Sequence, residues 1–147
     1  MMRLHNILGA FLILGLVGCS NTHTDSSVSK STDSPSVKQT VSSINNQLKD
    51  SLQHALAELS TIEQDVKSGK FDESNTIFSE YHAEFHSVIY PAIISKKGQK
   101  YADGIHSNCD ELETALNKKE PSSIIKSINT NKKNLQTVAG IYGIPLT

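Results

Sequence analysis

The stretch Val41–Val66, VSSINNQLKDSLQHALAELSTIEQDV, decides the fold. Its apolar residues Val41, Ile44, Leu48, Leu52, Ala55, Leu59, Ile62 and Val66 recur every three or four positions. That spacing lines one face of an α-helix, because residues three and four apart stand above one another along it. Lys, Gln, Asp and Glu fill the other faces, so the segment reads as an amphipathic helix needing a partner for its apolar side. Ser68-Gly69-Lys70 ends it, glycine being the common residue just past a helix.

The same period continues downstream. A second helix is expected from Phe71-Asp72, capped by Asp72 or Ser74. Its seam is Phe78, Tyr81, Phe85, Val88 and Ala92, with Ile89 beside it. Pro91 falls inside this run and predicts a kink or an early end, because proline has no N–H to donate. Lys96-Lys97-Gly98 makes the next turn. A third helix carries Tyr101, Ile105, Cys109, Leu112 and Leu116, and Lys118-Lys119-Glu120-Pro121 ends it. Pro121 suits the first turn of a fourth helix. That helix bears Ile124, Ile128, Leu135, Val138 and Tyr142 and is closed by Gly140, Gly143 and Pro145. Four amphipathic helices joined by short turns predict an all-α, up-down-up-down four-helix bundle over residues 37–147.

Upstream of the bundle the composition changes twice. Residues 20–35 are rich in Ser, Thr, Asp and Asn, with Val28 the apolar exception. Such a segment lacks the apolar area to order itself and reads as a flexible tether, 19–36 with its first cysteine. Before it stand a short polar start with Arg3 and an apolar run, Ile7–Val17. That run is shorter than the roughly 20 residues of a membrane-spanning helix and fits the core of a secretory signal peptide, residues 1–18.

The junction Leu16-Val17-Gly18-Cys19 resembles the lipobox of bacterial lipoproteins. The resemblance implies cleavage before Cys19 and diacylglycerol on its thiol, with palmitate-type acyl chains holding the protein to a membrane. More than one acyl chain gives stable anchoring where a single chain is marginal. The folded part then lies outside the cytoplasm, at the outer membrane where two membranes exist and otherwise at the cell surface. Ser20, rather than Asp, follows the cysteine, which resembles lipoproteins that are not retained at an inner membrane.

The mature chain carries a net charge of about −2, with every base a lysine. This excludes a nucleic-acid surface, which needs a strong basic excess. With Cys19 taken by lipid, Cys109 has no internal disulfide partner, so stability must come from packing.

Counting outward from the turns brings His54, Glu58, His82, His86, His106, Cys109, Asp110 and Asn131 to one level of the bundle. His82 and His86 share a helix face, as do His106 and Asp110. His82, His86, His106 and Cys109 could therefore supply the three or four N and S ligands of a transition-metal site. Glu84 or Asp110 would orient the rings. Helical angles set a competing expectation. At 100° per residue, His82 lies about 70° from the centre of its apolar face, His86 about 110°, His106 about 95° and His54 about 120°. Those are flank positions, which predicts solvated histidines. Cys109 and Asn131 sit on seams proper, Cys109 as a small core residue and Asn131 as a register-setting polar core residue. A cysteine in apolar surroundings is inert as a nucleophile. No His-Glu-x-x-His, phosphate loop, haem-attachment or serine-elbow motif occurs, so the chain reads as a non-enzyme.

The third helix, with Tyr101, Ile105-His106, Cys109, Leu112 and Ala115-Leu116, resembles the helical extracytoplasmic region of bacterial iron permeases and iron-uptake lipoproteins. The preceding aromatic helix, Phe78 to Ile93, is similar, and the resemblance spans Leu48 to Val138. His106 stands where that pattern has an acidic residue, and the His-x-x-Glu of the related lipoproteins is absent. No ligand is therefore carried over. The resemblance implies metal binding or accessory work in transport.

Two functional expectations result. One is a lipid-anchored extracytoplasmic module that binds a protein or cell-envelope partner and has no chemistry of its own. The other is an accessory lipoprotein that handles a divalent transition metal (Fe, Cu or Zn) through its histidine band.

Overall fold

Leu48, Leu52, Ala55, Leu59, Ile62 and Val66 are all buried, so the face read from the sequence is the face that packs. The structure, a computed structural model, describes the backbone of residues 35–146 and the side chains of residues 43–146. The leader, Cys19, most of the tether and the Val41 side chain lie outside the described residues. The elements are α1 (Pro35–Lys67), α2 (Phe71–Glu84), a π-helical turn (Phe85–Ile89), α3 (Tyr90–Lys97), α4 (Gln99–Asn117) and α5 (Pro121–Tyr142). α1 begins slightly before the boundary expected at residue 37, with Pro35 in its first turn.

The π turn joins α2 and α3 into one rod. Four rods then pack antiparallel in chain order. α1 lies against α2, the π turn and α5, and α4 lies against α2, α3 and α5. This is the expected up-down-up-down bundle, and no strand occurs among the described residues. The short connections turn on Gly69 (φ 75°), Gly98 (φ 82°) and Lys119 (φ 54°). The core is almost wholly aliphatic and aromatic, and each fully buried Leu, Ile or Phe contributes about 1.5–3 kcal/mol.

Several details depart from the sequence reading. First, neither Asp72 nor Ser74 caps α2. Ser74 Oγ instead donates back to Lys70 O at 2.8 Å, and the Asp72 carboxylate faces Lys119 Nζ at 3.1 Å. Second, Tyr101 and Ile44 are exposed, and Ala102 fills the core position beside Tyr101. Third, Pro91 neither ends nor visibly breaks the rod. The chain makes a wide turn just before it, in which Tyr90 N–H reaches Phe85 O, five residues back. Pro91 then falls in the first turn of α3.

The wide turn also changes which residues are core. Ser74, Phe78, Tyr81, Phe85, Ile89 and Ile93 are buried, while Val88 and Ala92 are only partly so. In a straight α-helix a step of four residues drifts the seam by about 40°, so Phe85, Ile89 and Ile93 would leave the core in turn. A π turn holds more residues per turn and cancels the drift. Gly140, expected to help close α5, lies within it. The end falls at Gly143 (φ 64°), where Ile144 N–H bonds Ala139 O at 2.9 Å.

Polar clasps fix neighbouring rods. Tyr90 Oη and Gln99 Nε2 both donate to Asp103 Oδ1, at 2.5 and 2.7 Å, tying α3 to α4. Tyr142 Oη donates to Ala92 O at 2.6 Å. Glu63 accepts from Lys132 of α5 at 2.8 Å and from Lys67 at 2.6 Å. Those two lysines, Lys132 foremost, lower the Glu63 carboxyl to about 2.

The phase set by the π turn has a direct check. Ile89→Ala is expected to cost about 2–5 kcal/mol in urea unfolding, and Val88→Ala under about 1.5 kcal/mol. Equal costs, or the reverse order, would show an uninterrupted α-helix in solution.

Candidate metal centre

The polar level expected across the bundle exists, and the tertiary packing divides it into three parts. The central part is structural. Asn131 on α5 is 1% exposed. Its Nδ2 donates to Asn108 O at 2.8 Å and to Ser127 O at 3.0 Å. Its Oδ1 accepts from Tyr81 Oη at 3.1 Å and from Cys109 Sγ at 3.2 Å. An amide side chain has two donor hydrogens and two acceptor lone pairs, and all four are used. Asn131 thus locks α2, α4 and α5 in register, as its seam position suggested. Tyr81 is the partner missed at the sequence level, because its place on an apolar seam conceals what its hydroxyl does.

Cys109 belongs to this lock and not to a metal site. It is 0% exposed, and burial pushes its thiol up to about 12, with Tyr81 opposing the shift by hydrogen bonding. Its Sγ is engaged by Tyr81 Oη and Asn131 Oδ1 at 3.3 and 3.2 Å, and the ligand atoms that come together are those of His82, His86 and His106 without it, so geometry groups Cys109 with the core instead of with the expected ligands. The residue turns inward with the α4 seam, whereas the three histidines stand on the flank.

The second part is the histidine cluster. His82 and His86 project from the rod formed by α2 and the π turn, and His106 faces them from α4. His106 Nε2 lies 3.2 Å from His82 Nε2 and 2.8 Å from His86 Nε2. All three ligand nitrogens lie within 4.8 Å of one another. The helical angles placed each residue on a flank, and that is correct for each rod alone. Two flanks on neighbouring rods face each other, so residues expected to be solvated form one site. His82 and His106 are half-buried and His86 is exposed, leaving the cluster open on one side.

Protons alone do not satisfy this arrangement. A ring nitrogen offers a single site in its own plane, either one N–H or one lone pair. His106 Nε2 faces two other ring nitrogens, and no choice of tautomers makes both contacts good hydrogen bonds. A metal ion accepts all three lone pairs at once. Nitrogens about 2.0–2.1 Å from a tetrahedral ion stand roughly 3.3–3.4 Å from each other; the His82–His106 pair at 3.2 Å matches this, and the His86–His106 pair at 2.8 Å would open by about half an ångström. On the far side of the His106 ring, Nδ1 lies 3.4 Å from Asp110 Oδ2. A carboxylate there favours the proton on Nδ1 and leaves the Nε2 lone pair facing the cluster. Burial, followed by the neighbouring His82 and His106, lowers the basicity of His86 and keeps it available as a ligand.

The third part lies in the groove between α1 and α2. Glu84, expected to orient the histidines, points there instead, and His54 Nδ1 donates to its Oε2 at 2.6 Å. That bond lifts His54 above the ordinary imidazole range; burial opposes it, and the charges of Glu58, Glu84 and Glu80 add to it. Glu58, one turn along α1 from His54, is buried, with its Oε2 3.8 Å from His54 Nδ1. His54 itself is exposed, as its angle indicated.

No protein-family model, curated protein or solved structure matches the chain.

The inward position of Cys109 predicts its chemistry. In the native protein, alkylation by iodoacetamide is expected to stay slow up to about pH 9, where an ordinary thiol near pKa 8.5 is largely thiolate. In urea Cys109 should react at the ordinary rate. Fast native labelling that rises through pH 8–9 would contradict the assignment.

Proposed function

We propose that the protein is a lipid-anchored extracytoplasmic metal-binding bundle, with His82, His86 and His106 as the ligands of one divalent transition-metal ion. The observation that carries this reading is the convergence of three Nε2 atoms from two rods, two pairs of them at 3.2 and 2.8 Å. Imidazole nitrogen suits Zn, Cu, Ni and Fe. Three protein ligands leave a coordination position open, whereas a structural zinc site closes all four. The open side of the cluster allows exchange with solvent or with a donor on another molecule, which fits acquisition and hand-over of an ion. The bundle is already held by its own core, so the metal is cargo rather than a folding element.

Anchoring supports the same role. The lipobox-like Leu16-Val17-Gly18-Cys19 and the polar segment after it would hold the bundle near a membrane, where a permease works. The resemblance to the extracytoplasmic part of iron permeases points the same way. No helix among the described residues is long and apolar enough to cross a membrane.

The site test uses Co2+ and Zn2+ with the purified protein. Binding of about one equivalent that depends on the histidine cluster is expected, with a raised Tm and a Co2+ absorption spectrum of tetrahedral type. The spectrum should lack a thiolate-to-cobalt charge-transfer band, because Cys109 is not a ligand. His82→Ala/His86→Ala should weaken Zn2+ binding by at least about tenfold, the lower end of what even outer-sphere changes produce. Undiminished Zn2+ binding by that double variant would end the proposal. The anchor is tested separately in cells. Cys19→Ser should abolish incorporation of labelled palmitate and release the protein from the membrane fraction, and an unchanged distribution would remove the lipid from the account.

A further inference from the structure

Glu58 is the one carboxylate in the described structure that is buried without a hydrogen-bond donor. Its side chain is 7% exposed, and neither Oε1 nor Oε2 accepts a hydrogen bond. Burying an ionised carboxylate without compensation costs several kcal/mol, so such groups are normally paired, protonated or bound to metal. The nearest cationic partner, His54, stands at 3.8 Å and is already engaged by Glu84 at 2.6 Å. The carboxylate lines the open groove between α1 and α2, whose other walls include Asp50, His54, Glu80 and Glu84. One ligand atom each from His54, Glu58 and Glu84 lies within 4.8 Å of the others.

We infer that His54, Glu58 and Glu84 form a second cation site, distinct from the histidine cluster, that takes a harder first-row divalent ion such as Mn2+ or Fe2+. The donor set is one imidazole nitrogen and two carboxylates, and oxygen-rich sets suit ions of that kind better than three imidazoles do. Charge supports the same assignment. Two carboxylates neutralise a divalent ion, so the half-buried site becomes uncharged when loaded, and the orphaned Glu58 oxygens gain their missing partner. Asp50 and Glu80 at the groove add negative potential that favours cation entry.

The two sites lie on opposite flanks of one rod. Glu84 falls midway between His82 and His86, about 200° around the helix from each. One helical segment thus presents nitrogen ligands toward α4 and a carboxylate toward α1. The second site does not depend on the first, and the two can fail separately.

The test is a Mn2+ titration of the purified protein at neutral pH, following free Mn2+ by electron paramagnetic resonance. About one bound Mn2+ is expected for the native sequence and equally for His82→Ala/His86→Ala. Glu58→Gln and Glu84→Gln should each weaken it by at least about tenfold while leaving Zn2+ binding at the histidines intact. Glu58→Gln removes a buried charge and should keep the bundle folded, and helical circular dichroism checks this. The partly exposed Glu84 provides a second variant if it does not. No Mn2+ binding by the native sequence would overturn the inference, as would Mn2+ binding unchanged in both glutamine variants. Mn2+ binding lost only in the histidine double variant would assign the ion to the first site and likewise overturn it.

Discussion

The wide turn at Phe85–Ile89 is the constraint on which the rest of the bundle depends. A proline inside a long rod forces a choice between ending the helix and rerouting its hydrogen bonds. Here the chain widens by one residue before Pro91 and continues to Lys97. The widening restores the phase of the apolar seam, so Phe85, Ile89 and Ile93 all reach the core. It also governs the polar residues that share the segment. His86 lies inside the turn, His82 and Glu84 lie just before it, and Tyr90 just after. π turns recur at functional sites because they redirect side chains without breaking the helix, and both metal-ligand sets proposed here border this one.

The buried Tyr81–Cys109–Asn131 lock gives the bundle its alignment. An amphipathic rod packs almost equally well after sliding by a turn, because its seam repeats. A buried amide that bonds partners on two other rods allows only one alignment, since any slide would leave polar groups unpaired at a cost of about 1–3 kcal/mol each. The alignment that satisfies Asn131 is also the one that brings His106 level with His82 and His86. The interior network and the flank cluster are therefore coupled geometrically although they share no atom.

Ordinary polar groups complete each other at Asn131, where four bonds use four capacities. Two other places carry lone pairs that the protein's own donors do not satisfy. His106 Nε2 faces two nitrogens with a single in-plane site, and Glu58 holds two buried oxygens with no donor. Both deficits are of one kind, an excess of lone pairs, and a cation is what an excess of lone pairs accommodates. The ligand sets differ in hardness, which would allow two kinds of ion to be held on a single rod.

The sequence by itself determined the helices, their turns and most of the core, because a period near 3.6 is a local property and needs only one rod to be read. It also gave the level of the polar band, since counting residues from a turn measures height along a rod. Asn131 was legible as a core polar residue because it sits on a seam. The π turn was not, because the phase shift that rescues Ile89 and Ile93 is stabilised by packing against α1 and α4, which no single segment encodes. Only the tertiary structure decided which flanks meet. His82, His86 and His106 each read as solvated when measured against their own helix. They become a cluster because α2 and α4 are neighbours, and Glu84 is drawn to His54 because α1 lies on the other side. Azimuth around one rod is local information, whereas the identity of the facing surface depends on how four rods close around a shared core.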